Sequence, residues 1–164
     1  MESKNMIDIP NYDNYKIDIE LEQIYNSKFN RYLKNKLDKD GYYRVSLCKN
    51  GKEKKFYIHR LIYISINPTE DISLFEVDHI DNDRTNNKIE NLRKATRSEN
   101  MSNTKTYITN KLGIKYIIKF QNGYRFKLIK NKITYYKWFK TLEETIEYRN
   151  IKVKEINGEF TNLG

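Results

Sequence analysis

Cysteine and histidine are scarce in this 164-residue sequence, which has one Cys and two His. A lone Cys48 excludes an internal disulfide and any zinc site built on several thiolates, and fits a reducing compartment. No apolar run is long enough to cross a bilayer, and no secretory pattern follows Met1. The expectation is an intracellular protein, not a secreted one, with no membrane partner. Acidic residues are missing altogether from Gly113 to Lys140, a stretch that carries eight basic ones.

Charge and aromatic rings stand out. The net charge is +9 and the pI about 9.4. Residues 113–164 hold eleven basic and five acidic side chains, so this last third supplies +6 of the total. Such a surface suits a polyanion, because binding phosphates releases condensed counterions. Mean hydropathy is −0.88, polar for a folded chain, yet 14 Tyr, 7 Phe and 1 Trp are available. Cores should therefore be small and built on aromatics and Ile.

Local patterns predict an α+β chain. Apolar residues alternate at Ile17, Ile19 and Leu21, which argues short strands. Asp40-Gly41 predicts a turn before the run Tyr42–Leu47, and Asn50-Gly51 a tight hairpin joining it to Lys54–His59. His59–Ile66 is helix-like and ends at Asn67-Pro68. Leu74–Ile80 and Asn91–Ala95 flank a polar loop and predict two strands. Thr96 with Glu99 forms a capping box that starts a helix carrying Asn100 and Asn103. A polar linker, Asn103–Leu112, follows. Three strands are then expected, with turns at Asn122-Gly123 and Asn131-Lys132. A second capping box, Thr141 with Glu144, opens a helix with a stripe of Leu142, Ile146, Tyr148, Ile151 and Val153 that stops at Gly158.

The segment Val77–Asn103 carries the chemistry. It holds the pair Asp78-His79, Asn91 twelve residues after the histidine, and Asn100 nine further on. Phosphodiester hydrolysis needs a proton acceptor for water and neutralisation of the leaving oxygen. An imidazole can accept that proton near neutral pH. Carboxylate and amide oxygens suit Mg²⁺ or Mn²⁺. Adjacent residues of a strand point to opposite faces, so Asp78 and His79 would serve different partners.

This stretch resembles the HNH (His-Asn-His) nucleases with a ββα-metal fold, in particular small homing endonucleases of phages and large viruses. The match runs through Val77–Asn100, spacing included. The resemblance implies His79 as general base, Asn91 as its supporting residue, and Asp78 and Asn100 as ligands of Mg²⁺ or Mn²⁺. Arg93 and Asn103 would contact phosphate or support the structure. His59, in a His-Arg-Leu segment, would be structural or phosphate-facing. Residues 113–164 resemble the Apetala/ethylene-response-factor DNA-binding domain through three strands, a helix and the ending Ile156–Gly164. That resemblance places Lys115, Arg125, Lys127 and Lys137 against DNA. Residues 7–58 resemble a nuclease-associated modular domain through Ile9–Tyr15 and Gly41-Tyr42. The expected layout is residues 1–55, a small β-rich module; 56–105, the ββα-metal unit; and 113–164, a three-stranded sheet plus helix. The expected activity is metal-dependent endonuclease cleavage of double-stranded DNA inside a host cell, of homing type. The alternative is a DNA-binding protein with an inactive nuclease unit. Monomer and dimer stay open.

Overall fold

The computed structural model describes residues 6–104, 106 and 110–164. Part of the expected linker, residues 105 and 107–109, and the polar start at 1–5 lie outside the described residues. The chain divides into two compact units, residues 1–94 and 95–164.

The first unit begins with four short antiparallel strands in sequential order, β1 (Met6–Asp8), β2 (Tyr15–Asp18), β3 (Gln23–Asn26) and β4 (Arg31–Tyr32). Asn11, Glu22 and Asn30 have positive φ in the connecting turns; asparagine tolerates that region better than most residues. A second sheet follows, β5 (Lys36–Leu37), β6 (Tyr43–Lys49) and β7 (Lys52–Tyr57). Its β6–β7 turn is the expected Asn50-Gly51, both residues left-handed.

Helix α1 (Ile58–Ile66) has no side-chain N-cap. Tertiary burial holds it instead, since Ile58, His59, Leu61, Ile62, Tyr63 and Ser65 are all buried. Asn67 closes it by donating its backbone and side-chain N–H groups to the Tyr63 carbonyl. One apolar core joins Ile9, Ile17 and Ile24 of the first sheet to Val45, Leu47, Leu61, Ile62, Val77 and Leu92. This core draws on residues on both sides of residue 55.

Strand β8 (Glu76–His79) pairs with β9 (Leu92–Ala95), preceded by a 3-10 turn at Ile89–Asn91. Arg60 of α1 donates to the Ile72 and Phe75 carbonyls, which pins the arm leading into β8.

The second unit opens with α2 (Arg97–Asn103), started by the Thr96–Glu99 capping box. The antiparallel sheet β10 (Ile117–Phe120), β11 (Gly123–Lys130), β12 (Ile133–Phe139) packs its inner face on α3 (Leu142–Asn157). Phe126, Leu128 and Val153 form the buried cluster of this packing.

Two expectations are corrected here. The turn before β11 falls at Gln121-Asn122, and Gly123 is already in the strand opposite Phe120. Gly123 is required there because a Cβ would sit 2.7 Å from the Trp138 ring. The buried stripe of α3 is Thr145, Arg149, Val153 and Asn157, while Ile151 faces solvent. Two polar members bond carbonyls: Thr145 donates to the Thr141 carbonyl one turn back, and Arg149 Nη1 to the Leu163 carbonyl.

Candidate active site

In the first unit β8 carries Asp78 and His79 side by side, both buried. Pleating sends neighbouring side chains to opposite faces, and their partners differ accordingly. Asp78 Oδ2 accepts from Arg93 Nε of β9 at 2.9 Å. Both groups are shielded from water, so this is a charge-assisted contact rather than a surface pair.

His79 lies in a ring of aromatic groups. Its centroid is 4.8 Å from that of His59, edge to face, and 5.9 Å from Tyr42. Tyr57 and Tyr42 also pack on His59. Arg44 stacks on Tyr57, and Arg84 on Tyr42. Burial, with the neighbouring His79 and Arg60 adding to it, pushes the His59 pKa down to about 3. His59 is therefore a neutral packing group.

That burial has a consequence for stability. Unfolded His59 titrates near 6.5, so between 6.5 and about 3 the unfolded chain binds a proton that the folded one refuses. Stability is full above that window and falls as pH drops through it. At pH 5 the loss from this residue should be about 2 kcal/mol. Urea midpoints at pH 7.5 and 5.0 measure it, and His59→Phe should flatten the difference.

The loop between β8 and β9 is organised by asparagine and aspartate. Asn91 is buried, and its side chain holds the loop closed. Its Oδ1 accepts from the Asp81 N–H at 3.1 Å, and its Nδ2 donates to Asp81 Oδ1 at 2.9 Å and to the Asn86 carbonyl at 2.8 Å. Burial opposes ionisation of Asp81. Hydrogen bonds from Asp83, Asn86 and Asn91 outweigh it and hold the carboxyl below its usual range. The group at 3.3 Å from His79 Nε2 is Asn87 Oδ1. Asn87 was not singled out by the spacing, since it stands beside Asn86 in a run that reads as a plain polar loop.

In the second unit Asn100 lies in the middle of α2, its N–H bonded to the Thr96 carbonyl. Asn103 is buried at the end of that helix, where its carbonyl accepts from Asn162. Among the described residues no group of three or more His, Cys, Asp or Glu comes together. A set of one carboxylate and amide oxygens falls outside that description. Asp78 fits a hard cation by its chemistry, being a carboxylate already screened from water.

The basic residues separate into two kinds. On the sheet face away from α3, Arg125 sits between Ile118 and Trp138, and Lys127 opposite Tyr136. Tyr136, Trp138, Ile129 and Phe120 are all exposed there. Lys137 alternates to the other face and lies over the Phe139 and Tyr148 rings. Lys115 precedes β10 and is buried, its ammonium on the Ser102 and Thr104 carbonyls. Desolvation lowers its pKa to about 8. Lys115 thus lies outside the strands of the sheet on which it was expected, and Lys137 lies on the sheet, on the face that Phe126 shares. Long side chains can follow apolar surface inward, which strand parity alone does not reveal for a residue outside the strand.

Residues 56–102 match the HNH endonuclease family. The chain is 36% identical over 96 residues to the DNA endonuclease I-HmuI of Bacillus phage SP01, covering 58% of this chain and 55% of that protein. It is 38% identical over 102 residues to the uncharacterized HNH endonuclease L245 of Acanthamoeba polyphaga mimivirus, covering 61% and 30%. A second mimivirus protein, L560, is 37% identical over 107 residues, covering 65% and 56%. The chain thus spans between about a third and about half of the curated relatives it matches. A solved structure described as DNA binding and cleavage by the HNH homing endonuclease I-HmuI superposes with a TM-score of 0.56 at 26% identity, covering 92% of this chain and 88% of that one. The mixed helix and sheet architecture is similar to that HNH homing endonuclease fold. No described helix is long and apolar enough to cross a membrane.

Proposed function

We propose that this chain is a metal-dependent endonuclease of homing type that hydrolyses phosphodiester bonds in double-stranded DNA. The observation that carries the reading is the buried Asp78-His79 pair on β8, inside the segment that matches the HNH family. His79 takes the proton from the attacking water. Asp78 and Asn100 are the residues that would hold a divalent cation, Mg²⁺ or Mn²⁺, through oxygen donors. Such an ion, when bound, neutralises charge on the phosphate and the leaving oxygen. Asn91 supports the site by closing the Asp81–Asn86 loop next to the histidine. Arg93 neutralises the Asp78 carboxylate within the protein. The test is cleavage of supercoiled plasmid with Mg²⁺ or Mn²⁺, against the same reaction in excess chelator. Nicked or linear product only with metal supports the reading; intact plasmid throughout overturns it.

The second unit is proposed as the DNA-gripping part, an Apetala-like module by its strand-strand-strand-helix order. Arg125 and Lys127 with their exposed aromatic neighbours form its contact face. The first sheets of the chain are proposed as the nuclease-associated module. Each phosphate contact contributes about 0.9 to the slope of log K against log salt. Arg125→Ala and Lys127→Ala should each lower that slope by about 0.9, whereas Lys137→Ala should change it far less. Fluorescence anisotropy on a labelled duplex at several salt concentrations measures this.

One observation favours the second reading, a DNA-binding protein with an inactive nuclease unit. Arg93 already satisfies Asp78 electrostatically. That reading predicts salt-dependent DNA binding with no product in either metal.

A further inference from the structure

We infer that Asn87 is a positioning residue that selects the tautomer of His79, and that Glu22 from the β2–β3 turn holds Asn87 in place. The inference deepens the nuclease reading and rests on it for its effect on rate.

The direction of the Asn87 amide follows from its contacts. Nδ2 donates to the Thr85 carbonyl at 3.1 Å, so the NH₂ group faces the loop. Oδ1 therefore faces the imidazole, 3.3 Å from Nε2. An amide oxygen only accepts, so Nε2 must carry the proton. In the neutral ring the lone pair then belongs to Nδ1, which makes Nδ1 the basic nitrogen.

The backbone of Asn87 is held from a distant part of the chain. Its N–H donates to Glu22 Oε2 at 2.9 Å, a contact 65 residues apart in sequence. Glu22 is itself fixed in a turn with φ of 51°, where its carbonyl accepts from Asn35 Nδ2 at 3.0 Å. Asn87 is 1% exposed, so water does not compete for either side of its amide. The result is a chain of contacts from the N-terminal sheet to the proposed base: Glu22, Asn87, His79. Asn91, which the HNH resemblance implies as the supporting residue, places the described bonds of its amide on Asp81 and Asn86.

The test uses the full chain labelled with ¹⁵N-histidine at pH 8. Proton-nitrogen correlation spectra report which nitrogen of His79 is protonated. The parent should show Nε2–H alone. Asn87→Leu keeps the side-chain shape but removes the acceptor, and should give a mixture of tautomers. Its kcat for plasmid cleavage should fall by about 10- to 100-fold with KM for DNA unchanged, as for other groups that orient a site histidine through its second nitrogen. Asn87→Asp retains an acceptor and should keep the Nε2–H form. Glu22→Ala should give the same mixture as Asn87→Leu, while Glu22→Gln, which still offers a side-chain oxygen, should not. An Nδ1–H signal in the parent overturns the inference without any variant, so a failure of Asn87→Leu to fold leaves it testable. A single Nε2–H form in folded Asn87→Leu, with kcat within twofold of the parent, also overturns it. A locked tautomer in a parent that cuts no DNA overturns the nuclease reading and leaves the structural assignment standing.

Discussion

Substituting His79 by alanine should slow metal-dependent plasmid cleavage by about 100- to 10,000-fold, the range that a positioned general base contributes. The loss should appear in kcat. DNA affinity should hold, because the basic face proposed to grip DNA lies in the second unit, on β11 and its neighbours. The buried ring also packs on His59 and Tyr42, so removing it leaves a void and some stability is lost with it. Measurement below the melting transition, with binding followed in the same samples, separates the two effects. Cleavage by His79→Ala at the parental rate would remove His79 from the chemistry. It would also leave the segment 56–102 without a histidine to act as base, since His59 is the only other histidine and is held neutral by burial.

Phe126→Ala should unfold the second unit at room temperature while the first remains folded. Truncating a fully buried phenylalanine costs about 3–5 kcal/mol. A unit of this size has only a few kcal/mol in hand. Its buried cluster consists of Phe126, Leu128 and Val153, with Tyr116, Tyr135, Tyr148, Ile156 and Leu163 packed around them. The lone tryptophan, Trp138, lies in this unit and packs over Gly123, so its emission reports on this unit. Emission should shift to the red in Phe126→Ala, and a denaturant titration should lose its tryptophan transition. A normal transition would mean that the sheet is held by contacts other than this cluster.

Much of the local structure can be read from the chain because the signals are short-range. Two capping boxes, the Asn50-Gly51 hairpin and the stop at Gly158 each involve residues within a few positions of one another, and all are present. What the sequence leaves hidden depends on distant partners. The four-stranded sheet at the start uses strands of two to four residues, and the alternation at Ile17, Ile19 and Leu21 runs past the end of β2 into the turn before β3, so the period does not mark where the strands stop. The Glu22–Asn87 bond spans 65 positions, and nothing near Asn87 announces it. Lys115 looks like its basic neighbours until the carbonyls around its ammonium are seen. Motif spacing identifies Asp78, His79, Asn91 and Asn100 as a set. Which amide faces which ring nitrogen is a matter of rotamers, and spacing carries no rotamers.

The end of α2 bears on how such proteins can be assembled from parts. Helix C-termini leave carbonyls without partners. Here Lys115 and Tyr116 reach the Ser102 carbonyl, Lys115 the Thr104 carbonyl, and Asn162 that of Asn103. Every one of those donors comes from the stretch after the nuclease motif, yet the helix they finish carries Asn100, the last residue of that motif. A graft that joined a different module just after residue 104 would strand these carbonyls and fray the helix. Exchange works only with a crossover upstream of Thr96, so that the incoming module brings its own final asparagine. The sheet of the second unit and Asn100 would then be inherited together, as one piece of DNA.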